Sequence, residues 1–291
     1  MSNELSGKVT VVTGASQGLG LRIAERFAGA GASLVMCARD AGALGRAADL
    51  VRVHLHAGQR LEAMDADVSR PHDVERLVQA AHAAFGRIDV LVNNAGVYGP
   101  MGATEEVGWE AWVEAIEVNL FGSVLMARAV VPGMKDRRRG KIIQLSGGGA
   151  TSPMPRVTAY AVSKAAVVRF AESLAEELRE FNIDVNAIAP GALNTRMLDE
   201  VLAAGPARVG QAFFDRSQLQ RQSGGEGLER GAELAVFLAS SASDNITGKL
   251  ISAVWDDWEQ WPRHLTELGS SDVFTLRRIA GRDRGHAWGD K

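Results

Sequence analysis

The sequence predicts an α/β protein: a parallel sheet with helices on both faces. Three observations carry this. Seven short, apolar, β-branched runs occur along the chain, helical patterns alternate with them, and a glycine-rich turn follows the first run directly. Continuous apolar runs such as Ile88-Asp89-Val90-Leu91-Val92 suit strands covered on both sides.

The elements follow in order. A first strand over 8–13 enters Thr13-Gly14-Ala15-Ser16-Gln17-Gly18-Leu19-Gly20, where a helix begins. A second strand over 33–37 ends at Ala38-Arg39-Asp40, and a third covers 61–65. Ser69 is placed to cap the next helix, with Pro71 in its first turn and Gly86 past its end. Val74, Leu77, Val78, Ala81 and Phe85 form one apolar stripe on it. Strands over 88–92 and 141–145 follow, the latter ending at Ser146. A helix over about 159–179 carries Ala165, Val168, Leu174 and Leu178, and strands over 183–188 and 250–254 complete the set. Segments 147–156 and 205–227 read as loops, the second ending in Ser223-Gly224-Gly225-Glu226-Gly227. Residues 1–254 thus form the main domain. Residues 255–291 hold four of the six tryptophans and are expected as an extension packed on that domain or on a neighbouring subunit.

Composition narrows the classes. The 291 residues are 46% hydrophobic and 23% charged, an ordinary globular balance. A core of this size needs no disulfide or metal, and no metal site is expected. A net charge of -3 argues against nucleic-acid and membrane-surface partners. The run Arg137-Arg138-Arg139 reads as a solvated turn. The one cysteine, Cys37, sits in an apolar run and reads as an inert core thiol. No signal-peptide pattern and no run of about 18 apolar residues is found, so a reducing cytoplasm is the expected location. The sequon Asn245-Ile246-Thr247 then has no use.

The glycine turn carries chemistry. Strand, glycine-rich turn and helix let a pyrophosphate approach the backbone and meet the free N–H groups of a helix N-terminus. The spacing Gly14, Gly18, Gly20 differs from the common dinucleotide fingerprint, and a mere tight turn is the competing reading. At the end of the second strand an acidic residue would receive the ribose 2′-hydroxyl of NAD, and an arginine would accommodate the 2′-phosphate of NADP. Ala38 followed by Arg39 favours NADP; Asp40, one residue on, keeps NAD possible.

Tyr160 and Lys164 lie four residues apart, on one face of a helix. An ammonium beside a phenol favours the phenolate, which would lower the tyrosine from about 10 and make it a general acid or base for an alcohol or ketone oxygen. Such a pair alone is also an ordinary helix surface. Ser146, at a carboxyl strand end, can hydrogen-bond a substrate oxygen or serve a turn. Asn119 lies inside an apolar helical stretch, where an amide needs a specific partner, structural or catalytic.

Together these residues resemble the short-chain dehydrogenase/reductase family over roughly residues 5–254. The matching signals are Thr13-Gly14-x-x-x-Gly18-x-Gly20, Asp67-Val68, Asn93-Asn94-Ala95-Gly96, Asn119, Ser146, Tyr160-x-x-x-Lys164, Pro190-Gly191 and Thr195. The resemblance implies a single doubly wound Rossmann-type domain with a seven-stranded parallel sheet, binding a nicotinamide dinucleotide. It implies Tyr160 as proton donor or acceptor, Lys164 on the nicotinamide ribose, Ser146 on the substrate carbonyl, and Asn119 helping to hold a water that links Lys164 to solvent. Gly14, Ser16, Gln17, Gly18, Leu19 and Gly20 would cradle the phosphates, with Arg39 near the 2′-position. Asp67 and Val68 would contact adenine. Asn94, Ala95 and Gly96 would lie by the adenosine ribose, and Pro190, Gly191 and Thr195 by the nicotinamide.

Two departures stand out. Gly147-Gly148-Gly149 follows Ser146 where many members carry another hydroxyl residue. The last strand reads Ser252-Ala253-Val254-Trp255-Asp256-Asp257 instead of ending Val-Asp-Gly-Gly. Both bear on specificity and assembly rather than chemistry. The expected activity is an NADP-preferring interconversion of a secondary alcohol and a ketone. The alternatives are the same reaction with NAD, and a non-catalytic nucleotide-binding regulator. Segments 98–102, 147–156 and 193–225 would wall the substrate site, with Arg156, Asn194 and Arg196 allowing a polar or anionic substrate. A homodimer or homotetramer is expected through the helices at about 109–135 and 159–179.

Overall fold

Residues 3–225, 227–286 and 288 are described by a computed structural model. The strands are β1 (Val9–Thr13), β2 (Ser33–Ala38), β3 (Leu61–Asp65), β4 (Val90–Asn93), β5 (Gly140–Leu145), β6 (Ile183–Ala189) and β7 (Leu250–Ser252). They form one parallel sheet in the order β3-β2-β1-β4-β5-β6-β7. The order reverses between β1 and β4, and a crevice for a ligand opens at the carboxyl ends of the strands there. The fourth strand starts at Val90 rather than Ile88 because the Asp89 carboxylate accepts the Val9 N–H (2.9 Å).

Ten α-helices connect and flank the strands among the described residues. They are α1 (Gly18–Gly29), α2 (Ala41–Arg52), α3 (Pro71–Phe85), α4 (Trp109–Ile116), α5 (Gly122–Arg137), α6 (Thr158–Leu178), α7 (Arg196–Val209), α8 (Gln211–Ser223), α9 (Leu228–Ala239) and α10 (Leu265–Ser270). Side chains alternate across each strand, and both faces are covered. Val12, Ile143 and Leu145 face a core shared with α1, α2 and α9. Val11 and Ile142 face a second core under α3, α5 and α6. Cys37 is buried in that second core, and desolvation pushes its thiol up to about 12, which leaves it unreactive.

Three expectations, on Ser69, on segment 205–227 and on the arginine run, are corrected. Ser69 does not cap α3; its hydroxyl donates to the Asp67 carboxylate (2.7 Å), and Asp73 reaches back to the Asp67 N–H (2.9 Å). Segment 205–227 is mostly helical, since α7 continues past a kink at Gly205 and α8 follows; Glu226 lies outside the described residues. Segment 109–137 is one continuous helix, with a π-turn (Glu117–Phe121) joining α4 to α5. By length and composition alone it could cross a membrane, but Met126, Ala127, Val130 and Met134 lie in the second core. The arginine run is not merely solvated, because Arg137 and Arg138 donate to the Ile88 and Glu180 carbonyls.

Within the extension, Trp258, Trp261 and Leu268 are buried in the first core of the same chain. Phe237 and Arg230 pack on the Trp258 ring at 5.2 and 4.8 Å. The Leu250 N–H donates to the Phe274 carbonyl (2.8 Å), so the extension covers the open edge of β7. Trp255, Phe274, Ile279 and Trp288 remain exposed; residues 287 and 289–291 lie outside the described residues.

Candidate active site

The glycine turn is tied to the neighbouring strand end. The Asn94 side-chain amide donates to the Thr13 (2.9 Å) and Gly14 (3.1 Å) carbonyls. Thr13 Oγ1 accepts the N–H groups of Asn94 and Ala95, each at 3.0 Å. Gly20 cannot carry a side chain, since a Cβ there would lie 2.3 Å from Asn94 Nδ2 and 2.4 Å from the Gly14 carbonyl. Gln17 precedes α1 in extended backbone and provides no side-chain cap. The first N–H groups of α1, with Ser16 and Gln17 beside them, are therefore left to meet an anion. Leu19 contributes only backbone, because its side chain is in the first core.

Gly20→Ala is expected to force Asn94 off these carbonyls and to weaken dinucleotide binding by about 10–100-fold. Fluorescence titration with NADPH reads this directly; an unchanged Kd would show that the Asn94 clamp does not shape the site.

At the second strand end the structure separates the two competing residues. The Asp40 carboxylate caps α2, accepting the Ala43 N–H at 2.8 Å. Arg39 is exposed and lies 3.6 Å from Glu114, a loose surface pair. Asp67 Oδ1 is taken by the Ser69 N–H and hydroxyl, and Val68 is buried in the second core beside Gly122. The Asp67 N–H is also taken, by Asp73, and its carbonyl accepts the Arg70 N–H, so an adenine would be left the Val68 main chain. Pro190 and Gly191 follow β6. Thr195 precedes α7 with its methyl opposite Gly18, where a Cβ would lie 3.4 Å away. Gly96 abuts the π-turn and α6: a Cβ on it would lie 3.2 Å from Asn119 Oδ1 and 3.4 Å from Lys164 Nζ. This cradle, the uncapped α1 and the crevice between β1 and β4 fit a dinucleotide.

Asn119, Ser146, Tyr160 and Lys164 come together at the ends of β4 and β5. Asn119 sits in the π-turn, and such turns place side chains that a regular helix would not. Its Oδ1 accepts the Val97 N–H (2.8 Å), and its Nδ2 donates to the Val97 carbonyl (2.9 Å) and Ser163 Oγ (2.8 Å). Ser163 Oγ donates in turn to the Tyr160 carbonyl (2.7 Å). The Asn119 amide is thus spent on protein groups, a positioning arrangement. Ser146 Oγ makes one long contact to the Lys164 carbonyl (3.4 Å). Lys164 Nζ donates to the Leu145 carbonyl (2.7 Å) and lies 5.7 Å from the Tyr160 ring centre. The Tyr160 hydroxyl has no hydrogen-bond partner among the described residues.

The electrostatics correct one expectation. Burial raises the Tyr160 phenol, with Tyr98 adding to the rise, and burial lowers Lys164 to about 8. Desolvation outweighs the ammonium's pull on the phenol here.

The walls of the site are cross-linked. The Gly102 N–H donates to the Arg156 carbonyl (2.8 Å), and Arg156 donates to the Ala207 carbonyl (2.9 Å). Arg196 pairs with Glu200 (3.3 Å), and Asn194 contacts the Gln220 carbonyl (3.4 Å). The polar side chains that could have received an anion are thus engaged with the protein. A separate cavity beneath the extension, with Arg169, Glu172, Glu176 and Arg179 in its wall, holds none of the sequence-predicted residues. Among the described residues no cluster of metal-ligating side chains occurs. Sequence reasoning missed Thr13 and Ser163 as members of the site and gave Tyr98 no role beyond the wall. Thr13 opens the glycine motif, and Ser163 lies one residue before Lys164, which were the available signals.

Residues 8–205 match the short chain dehydrogenase family model. The chain is 34% identical over 251 residues to dehydrogenase/reductase SDR family member 4 of Bos taurus, covering 86% of each. It is 37% identical over 249 residues to 3beta-hydroxysteroid dehydrogenase 1 of Eggerthella lenta, covering 85% of this chain and 92% of that one. Among solved structures, NAD+-bound xylitol dehydrogenase superposes with a TM-score of 0.78 at 27% identity, over 86% of this chain and 98% of that one.

Proposed function

The chain belongs to the short-chain dehydrogenase/reductase family, and on that premise we propose that it interconverts a secondary alcohol and a ketone with NADP(H), using Tyr160 as general acid or base. Membership makes it an NAD(P)-dependent oxidoreductase acting on CH–OH or C=O groups. The observation that carries the finer reading is the Tyr160 hydroxyl, which has no hydrogen-bond partner among the described residues, with Lys164 one helical turn away.

The dinucleotide, when bound, supplies or accepts the hydride. The glycine turn and the α1 N-terminus would hold its phosphates, Asn94, Ala95 and Gly96 would lie by its adenosine ribose, and Lys164, Pro190, Gly191 and Thr195 would flank its nicotinamide end. Ser146 Oγ donates a hydrogen bond to the substrate carbonyl and orients it. In reduction the Tyr160 hydroxyl gives its proton to that oxygen, and in oxidation Tyr160 takes it back. Lys164 holds positive charge beside the phenol as the proton leaves. The test is turnover of NADPH and NADH against sugars, keto acids, steroids and aromatic ketones. NADPH oxidation with at least one ketone supports the reading, and binding without turnover across the panel contradicts it.

NADP preference is supported by Ala38, which offers no carboxylate, by Asp40, which is committed to its cap, and by exposed Arg39. Arg39→Ala is expected to cost about 1.5–3 kcal/mol of NADPH affinity and leave NADH binding nearly unchanged. Tighter NADH than NADPH binding by the unaltered protein would overturn the preference. The NAD+-bound xylitol dehydrogenase favours that second reading. A single buried cysteine suits the reducing cytoplasm proposed as its location.

The assembly is proposed to be a homodimer or homotetramer. Phe121 and Val162 are each 51% exposed, on adjacent helices of the α4–α6 layer, and a second copy would cover them. Val162→Glu is expected to lower the mass measured by light scattering; an unchanged mass would place the contact elsewhere.

A further inference from the structure

The chain has only two tyrosines, and they touch. The ring of Tyr98 lies 4.7 Å from that of Tyr160, centre to centre, at a 54° tilt. The phenol is also confined by main chain. Gly147 is fully extended, and a Cβ on it would lie 2.3 Å from the Tyr160 hydroxyl oxygen and 3.2 Å from Cζ. Tyr160 is left 9% exposed.

Tyr98 is itself fixed from both sides along the chain. Before it, both main-chain polar groups of Val97 are bonded to Asn119. After it, Gly99 has φ +72°, and a Cβ there would lie 2.5 Å from that of Ala115 and 3.6 Å from that of Ala159. Ala159 directly precedes Tyr160. The link from Asn119 through Ser163 to the Tyr160 carbonyl closes the circuit. One framework thus sets both rings.

We infer that Tyr98 is a positioning residue for proton transfer: with the main chain at Gly147 it forms a slot that fixes where the Tyr160 hydroxyl meets the substrate oxygen. The inference rests on Tyr160 being the acid or base. It also accounts for glycine at position 147 of this chain, because a Cβ there would lie 2.3 Å from the phenol oxygen. The slot also keeps both phenols neutral; burial pushes Tyr98 up to about 12 and raises Tyr160 as well.

The test uses the whole chain labelled with 13C-tyrosine, whose two Cζ resonances are assigned with Tyr98→Phe and Tyr160→Phe. In the parent and in Tyr98→Phe the Tyr160 resonance should not titrate below about pH 10. In Tyr98→Ala, water reaches the phenol, so the resonance should begin to titrate below that pH. NADPH-dependent kcat on the best ketone of the panel should fall about tenfold, and Tyr98→Phe should restore most of it. Gly147→Ala, an independent variant, should move the Tyr160 resonance at neutral pH and lower kcat while the Kd for NADPH holds. A Tyr160 resonance that superposes on the parent's in both Tyr98→Ala and Gly147→Ala would overturn the slot. Full turnover by Tyr160→Phe would instead remove the catalytic reading, while the resonances still decide whether Tyr98 and Gly147 set the phenol.

Discussion

Tyr160→Phe is expected to lower kcat by about 10²–10⁴-fold while the Kd for NADPH stays within about threefold. The substitution removes one oxygen and keeps the ring. Packing against Tyr98 at 4.7 Å survives, as does the Ser163 hydrogen bond to the residue 160 carbonyl, since neither uses the hydroxyl. The deleted oxygen has no hydrogen-bond partner among the described residues, so no buried group is orphaned by its loss. Stability should therefore hold, and a drop in rate reports on proton transfer alone. Stopped-flow and steady-state rates with the best ketone of the panel decide it, and near-normal turnover is incompatible with the mechanism. Because burial holds the phenol neutral, reduction should run on the protonated form across the physiological range, with no loss of rate from phenol ionisation near pH 7.

The sheet was legible because its strands are covered on both sides, which makes each one a continuous apolar run in the sequence. Edges of elements were less legible where a side chain replaces a backbone partner. Asp89 takes the Val9 N–H that a ladder carbonyl would otherwise accept, and Asp73 reaches back over Ser69, which looked like the cap. Segment 205–227 read as loop because its glycines punctuate it, yet Gly205 only kinks a helix. The four proposed catalytic residues were legible as types at fixed spacing. Their energetics were not, because spacing shows that Lys164 sits one turn from Tyr160 but not that both lie in a desolvated site. Burial disfavours the charged form of each, so it raises the phenol and lowers the ammonium, where charge attraction alone would lower the phenol and raise the ammonium. Tyr98 was readable only as wall; its contact with Tyr160 depends on the Asn119 clamp, which joins segments distant in sequence.

Lys164→Met is expected to abolish most activity and to change how stability depends on pH. Losing the charge beside the phenol should cost at least about 10²-fold in kcat. Stability responds through two opposed effects. The Leu145 carbonyl loses its 2.7 Å donor, which costs about 1–3 kcal/mol. Against that, a buried ammonium disappears. Its folded-state value is depressed from 10.5 to about 8, equivalent to about 3 kcal/mol. The sign follows from proton counting. Below about pH 8 both folded and unfolded Lys164 carry the proton, so the parent bears the whole cost of burying charge. Between about 8 and 10.5 the unfolded chain binds more protons than the folded one, so the parent gains stability as pH rises. Methionine cannot titrate and lacks that gain. At pH 7 the two effects nearly cancel and the variant should match the parent closely; by pH 10 the parent should be the more stable by about 2–3 kcal/mol. Lys8 and Lys249, also lowered by burial, are present in both proteins and drop out of the difference. Urea midpoints measured from pH 7 to 10 read it directly. Parallel curves for parent and variant would mean that Lys164 is not desolvated in the folded state. The ammonium then could not act as a low-dielectric charge beside Tyr160, and the electrostatic part of the mechanism would have to come from another group.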